Sequence, residues 1–181
     1  MNVHVVFFHG AGTGAYDEDA ELASSLARHL GSDFSTDFPR LPEDDPEDGP
    51  WLQAIDEAIA RTSGPVVLVG HSVGGYLLLK YLAMNRVMTS IVAICVIAAP
   101  FPSGDPAWTF DGFDLPDDVD RLLPADAKVV LYASEDDETV PFAHRDLYAA
   151  AIPRAITRTT SGGHQLGNDL RVVADDIRAL W

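Results

Sequence analysis

The sequence predicts an α/β fold: a doubly wound, three-layer α/β/α sandwich around one mostly parallel, six-stranded sheet. Three observations lead there. Apolar, β-branched runs alternate with helix-patterned segments from end to end. Two of those runs, 66–69 (VVLV) and 91–98 (IVAICVIA), are apolar on both faces, as parallel strands covered by helices are. The 181 residues, 47% of them hydrophobic, suit one domain over 1–181 with a single core.

The elements follow in chain order. Residues 3–8 (VHVVFF) read as a strand in which His4 packs, and they run into His9-Gly10. Leu22, Leu26 and Leu30 make the i, i+4, i+8 stripe of a helix over 18–30 that stops at Gly31. Asp17, Glu18, Asp19 and Glu21 fall in its first turn, where the helix dipole favours acids; that role is preferred to a metal site. A short strand over 34–38 precedes a Pro-rich acidic loop over 39–50 and a helix over 51–62 with Trp51, Ile55 and Ile59 on one face. Strand 66–69 leads to helix 73–84, then to strand 91–98 and an irregular stretch over 100–126. Strand 128–133, helix 142–151, strand 155–160 and helix 167–180 complete the chain.

The formal net charge of −16 argues against a nucleic-acid partner, which needs a basic face, and against anionic membrane surfaces. An ordinary acidic surface explains it more simply than adaptation to a salt-rich cytoplasm. No apolar run is long enough to span a membrane, and the opening apolar stretch has no basic region before it, so a cytoplasmic protein is expected. Cys95, the single cysteine, is expected to be a small buried residue. No Cys/His cluster has zinc spacing, and no metal or organic cofactor is expected.

Chemistry concentrates in loops just past the C-terminal ends of strands, the edge where open α/β sheets carry their sites. VVLV runs into Gly70-His71-Ser72-Val73-Gly74-Gly75 and then a helix. In that setting G-x-S-x-G describes a serine on a strained turn, its oxygen standing clear of the sheet, rather than a turn with a capping serine. The glycines leave room for strand and helix to approach.

A serine hydroxyl is a poor nucleophile without a base, and the base needs an orienting acid. Both follow in order: Ser134-Glu135-Asp136-Asp137-Glu138-Thr139-Val140-Pro141 after one strand, Ser161-Gly162-Gly163-His164 after the next. Of six histidines only His164 has a flexible Gly-Gly lead-in after a late strand; His144 and His29 have ordinary surface roles available. The acid is Asp136 or Asp137.

Acyl transfer also needs donors for a tetrahedral oxyanion. The amide of Val73, next after the serine, is one; Ala11 in the loop after the first strand is the other, with Gly12 next in line. The same loop, Gly10-Ala11-Gly12-Thr13-Gly14-Ala15, matches a dinucleotide fingerprint, with Asp37 at the end of the following strand. That reading leaves the serine, acid and histidine loops unexplained, and the chain is short for a substrate domain beside a cofactor half.

The segments VVFFHGAGTG, FPRLPEDDP with Trp51, GHSVGG, SEDDETVP and SGGHQLG together make the chain resemble the small, lidless α/β hydrolases of the retinoblastoma-binding-protein-9 and YdeN type. The resemblance covers nearly the whole chain. It implies a minimal α/β-hydrolase fold without a large cap, strand order 2-1-3-4-5-6, and a site at the switch point between the first and third strands. It places the acid three residues before a Val-Pro pair, which selects Asp137 and leaves Asp136, Glu135 and Glu138 as solvated turn residues. Two departures stand out: Ser134 where such hydrolases often have Gly, and Gln165 where Phe often follows the histidine. The second is expected to change contacts beside the base.

The expected function is a carboxylesterase-like serine hydrolase of small esters, with amides and thioesters open, acting through an acyl-serine on Ser72 with His164 and Asp137. His9, Gly12 and His71, with Trp108, Phe110 and Phe113 of the 100–125 segment, are candidate substrate-pocket residues; the aromatics, Phe101 among them, alternatively cover the sheet end. The competing class is a non-catalytic protein-binding module on the same fold, and behind it a dinucleotide binder. A small-molecule ester is the expected partner; no protein partner is indicated.

Overall fold

The computed structural model describes residues 3–45, 47–104, 106–109 and 112–180. Its sheet contains β1 (Val3–Phe8), β2 (Phe34–Asp37), β3 (Val66–His71), β4 (Ile91–Ile97), β5 (Lys128–Ser134) and β6 (Ile156–Thr160), in the order β2-β1-β3-β4-β5-β6. Every pairing is parallel, so the sheet is wholly rather than mostly parallel. The reason is topological: no two strands are joined by a hairpin, and each connection crosses back over the sheet.

Among the described residues six α-helices flank it: α1 (Ala15–Leu30), α2 (Asp48–Ala60), α3 (Ser72–Met84), α4 (Val119–Leu122), α5 (Ala143–Ala151) and α6 (Arg171–Arg178). Alternation along the strands sorts their side chains into two layers. On one face Val5, Phe7, Val67, Val69 and Cys95 pack against Leu22 and Leu26 of α1 and Val173 and Ile177 of α6. On the other, Val6, Phe8, Leu68 and Ile94 meet Trp51, Ile55 and Ile59 of α2 and Leu78 of α3. Each such side chain contributes roughly 1.5–3 kcal/mol on burial, well above any per-residue helix propensity, so packing holds these helices.

Helix ends depart from the pattern-based bounds for local reasons. Helix α1 starts at Ala15, and its N-terminal cap, Gly14, has no side chain to offer; the Tyr16 amide instead donates to Glu43 Oε2 at 2.7 Å. The acidic loop thus caps a helix remote in sequence, where the dipole favours an anion. The helix expected over 167–180 is shorter, because Gly167 and Asn168 are left-handed, at φ 61° and 56°. A 3-10 turn (Leu166–Asn168) occupies its start instead. The stretch expected to be irregular holds a 3-10 turn (Pro106–Trp108) and the four residues of α4. Nothing larger joins β4 to β5 among the described residues, in keeping with a fold that has no large cap. Among the described residues no helix is long and apolar enough to cross a membrane.

The chain leaves β1 for β2 on one side and then returns to place β3 on the other. The loops after β1 and β3 therefore part from each other at the C-terminal edge, opening the crevice in which the candidate site lies.

Candidate active site

Ser72 sits where β3 becomes α3. Its φ of 52° is left-handed, a conformation that costs a non-glycine residue of order 1–3 kcal/mol and is retained only where the surroundings enforce it. Those surroundings are glycines. A Cβ on Gly74 would lie 2.2 Å from the His9 carbonyl oxygen, and one on Gly70 would lie 2.6 Å from the Gly75 Cα. The elbow thus presses against β1 and against its own helix, and the loop after β1 is brought up to the serine: a Cβ on Gly10 would lie 3.1 Å from Ser72 Cβ. Gly74→Ala is expected to cost about 3 kcal/mol through overpacking against rigid backbone. Gly49→Ala, with open space around the added methyl, should be neutral or slightly stabilising. Urea midpoints of the two variants check this; equal midpoints would show that the elbow is not tight.

Three of the residues singled out from the sequence meet. His164 Nε2 lies 3.0 Å from Ser72 Oγ, and His164 Nδ1 lies 2.8 Å from Asp137 Oδ2. The other oxygen of Asp137, Oδ1, accepts the amides of Thr139 at 2.8 Å and Val140 at 2.9 Å. Burial raises the Asp137 pKa, but the His164 hydrogen bond and the Val140 amide outweigh it and hold the carboxyl below its usual range. The serine is buried, and the histidine side chain, in the middle of the hydrogen-bonded run, is 17% exposed.

Asp136 is not a merely solvated turn residue. It accepts the amides of Gly162 and Gly163 at 3.0 to 3.1 Å and so ties down the loop that presents His164. Those two glycines are left-handed, at φ 99° and 68°, the freedom that this tight return requires. The neighbouring carboxylates thus divide the work, one holding the loop and the other the ring.

The amides of Ala11 and Val73 have no hydrogen-bond acceptor among the described residues. Gly12, the alternative donor, is excluded from that role because its amide donates to the Glu43 carbonyl at 2.8 Å. The Gly10 amide is likewise taken, by Asp19 Oδ2 at 2.8 Å. Two of the amides that a phosphate-binding reading of this loop would need are therefore engaged within the protein.

The pocket expectations fare differently. His9 is fully buried; Nδ1 donates to the Gly10 carbonyl and Nε2 accepts the Leu41 amide, so it supports the loop from beneath instead of facing a substrate. Burial lowers its pKa and outweighs its hydrogen bond and nearby acids, so the ring is held neutral. His71 is also buried, with both ring nitrogens engaged. Trp108 packs on Phe113, and Phe113, itself buried, on Tyr76 of α3. Phe110 lies outside the described residues. A hollow of about 300 Å³ beneath this segment is walled by Phe101, Phe113, Leu115 and Val119, and not by Ser72 or His164.

Sequence reasoning missed Asp19, which is 1% exposed and not a solvated first-turn acid. The signal was present: Asp19 stands three residues before Leu22 on the apolar stripe, where a carboxylate must find partners. His144, expected at the surface, is buried at the start of α5, where its Nδ1 accepts the Phe101 amide at 2.7 Å.

A model of the family described as "Alpha/beta hydrolase family" matches residues 5–173. No curated protein matches the chain significantly. Among solved structures, the ydeN gene product of B. subtilis is 19% identical, with 99% of this chain and 98% of that one covered at a TM-score of 0.76. A serine hydrolase involved in carbazole degradation, CarC, is 13% identical over 99% and 90% of the two chains, at 0.74. Est1E from Butyrivibrio proteoclasticus is 16% identical over 99% and 88%, at 0.67. At such identities the structures speak for the fold alone, but the family match runs from within β1 through β6 and takes in the three loops that meet at Ser72, and the chain therefore belongs to the alpha/beta hydrolase family.

Proposed function

We propose that this protein is a serine hydrolase of carboxylesterase type that cleaves small, accessible esters through an acyl-serine. The observation that carries this reading is the continuous hydrogen-bonded run from Ser72 Oγ through His164 to Asp137, on a serine held left-handed at a strand–helix turn. Ser72 attacks the ester carbonyl while His164 Nε2 takes its proton. Asp137 fixes the ring and stabilises the imidazolium. The oxyanion is met by the amides of Val73 and Ala11. His164 returns the proton to the leaving alcohol, and water, activated by the same ring, then frees the acid and restores Ser72. The short β4–β5 connection favours an open cleft over a lidded one, hence small or exposed ester groups.

The test is labelling with a fluorophosphonate probe, together with hydrolysis of short p-nitrophenyl esters. Wild type is expected to label stoichiometrically and turn over acetate and butyrate esters, and Ser72→Ala not to label and to turn the esters over only at a residual rate about 10⁶-fold lower. A folded wild type that does not label would favour a non-catalytic binding module. Turnover confined to long-chain esters would overturn the substrate part of the proposal.

A further inference from the structure

Granting Ser72 as the nucleophile, we propose that Asp19 is a positioning residue: one buried carboxylate that locks together the three loops supplying the oxyanion donors, the serine and the histidine. Asp19 lies on α1, outside all three, and its oxygens are met by one donor from each. Oδ2 accepts the Gly10 amide at 2.8 Å and His71 Nδ1 at 2.7 Å, and Oδ1 accepts Gln165 Nε2 at 3.0 Å. The packing of α1 does not call for a charge at this position; its buried neighbours one turn on are Leu22 and Ala23. A carboxylate buried there is tolerable only because every bond it makes is satisfied.

Each arm reaches a working atom. His71 passes its second N–H, from Nε2, to the carbonyl oxygen of His164 at 3.0 Å. Because both of its partners only accept, His71 is an imidazolium, and the Asp19 carboxylate holds it so against the opposing effect of burial. Gln165 adds a second tie one residue beyond His164. Asp137 fixes the His164 ring from one side, and the Asp19 network fixes its backbone from the other. The third arm sets the oxyanion loop. Gly10 is held at its amide by Asp19 and at its carbonyl by His9 Nδ1, 2.7 Å away. That carbonyl belongs to the same planar peptide as the Ala11 N–H, so the direction of the donor is set as well.

Two variants separate position from charge. In Asp19→Ala all three ties are lost. In Asp19→Asn the amide oxygen can still accept Gly10 and His71, and its NH₂ can meet Gln165 Oε1, a buried oxygen with no partner among the described residues, once that side chain flips; with the carboxylate gone the buried His71 ring turns neutral, keeps its proton on Nδ1 and gives up only its bond to the His164 carbonyl. At a temperature where circular dichroism shows all proteins folded, Asp19→Ala is expected to lower kcat and the fluorophosphonate labelling rate about 100-fold, with KM within about twofold, since misplacement of about 1 Å costs that much. Asp19→Asn should stay within about tenfold of wild type, because the Gly10 and Gln165 ties survive and only the His71 bond to the His164 carbonyl is given up. A role limited to stability would lower Tm in both variants and leave both rates at the wild-type value, which overturns the proposal. An Asp19→Asn protein as slow as Asp19→Ala also overturns it. Should Asp19→Ala fail to fold, Gln165→Ala cuts the histidine arm alone and should lower kcat about tenfold at unchanged KM; a wild-type kcat there overturns the proposal. A wild type that never labels defeats the hydrolase reading, whereas equal labelling of wild type and Asp19→Ala defeats only the role of Asp19.

Discussion

Ser72→Ala and His164→Ala are each expected to lower kcat for a short p-nitrophenyl ester by about 10⁶-fold, and the double variant by no more than either alone. In the proposed mechanism nucleophile and base act as a unit. Without Nε2 to take its proton, Ser72 Oγ is an alcohol with a pKa far above neutrality; without Oγ, the imidazole has nothing to activate. Activity above water should survive in all three variants, because the Ala11 and Val73 amides remain in place. KM should change little, since neither side chain is needed to hold the ester in its ground state. Stability should change little as well. The Ser72→Ala protein would keep the left-handed strain at the elbow and lose one hydrogen bond to a partly exposed ring. Steady-state kinetics and thermal melts of the three proteins check this. Additive losses in the double variant would mean that the two residues act in separate steps, contrary to the 3.0 Å contact between them.

What the sequence made legible and what it hid have one physical explanation. The inner strands are apolar on both faces because helices cover both faces, so they can be read directly, while the edge strands β2 (FSTD) and β6 (ITRTT) carry polar, partly exposed residues and read by their place between helices. The elbow can be read because two glycines flank a serine between strand and helix, and close backbone approach demands them. Residues whose work is steric or local leave marks of this kind. Residues whose partners are remote in sequence leave weaker ones. Asp136 and Asp137 are adjacent acids in one turn, and only their partners tell them apart: the Gly162 and Gly163 amides for one, the His164 ring for the other. The choice of Asp137 needed a family resemblance, because local spacing treats the two alike.

His9 and His71 show the same limit from the other direction. Each stands beside a motif residue, so proximity in the chain suggested a place in the pocket. Both are pointed inward, His9 to the Leu41 amide and His71 to Asp19, across 32 and 52 residues of sequence. Asp19 was the one remote partner with a readable cue, a carboxylate on a leucine stripe. Its meaning depended on three loops that meet only in the folded chain.

The second large effect is expected at Asp137. Asp137→Asn should lower kcat by about 10⁴-fold at neutral pH, the magnitude expected when the base is held in the wrong tautomer. The direction follows from the contacts of each oxygen. Oδ1 accepts two backbone amides, from Thr139 and Val140, and those donors cannot turn away. In the asparagine variant the side-chain oxygen must stay on them, because an NH₂ placed there would face two N–H groups. The NH₂ is then forced into the position of Oδ2, 2.8 Å from His164 Nδ1, and donates to it. Nδ1 becomes the acceptor, the ring proton moves to Nε2, and Nε2 now points an N–H at Ser72 where it must receive one. The substitution is nearly isosteric, so the fold should hold. Nitrogen chemical shifts of His164 provide the check, with a protonated Nδ1 in neutral wild type and a protonated Nε2 in the variant. Asp136→Asn is the matched control. Its oxygen can still accept from Gly162 and Gly163, and no ring depends on its charge, so its kcat should fall by less than about tenfold. Should Asp136→Asn prove the more damaging of the two, the orienting acid is Asp136, and the assignment of Asp137 fails.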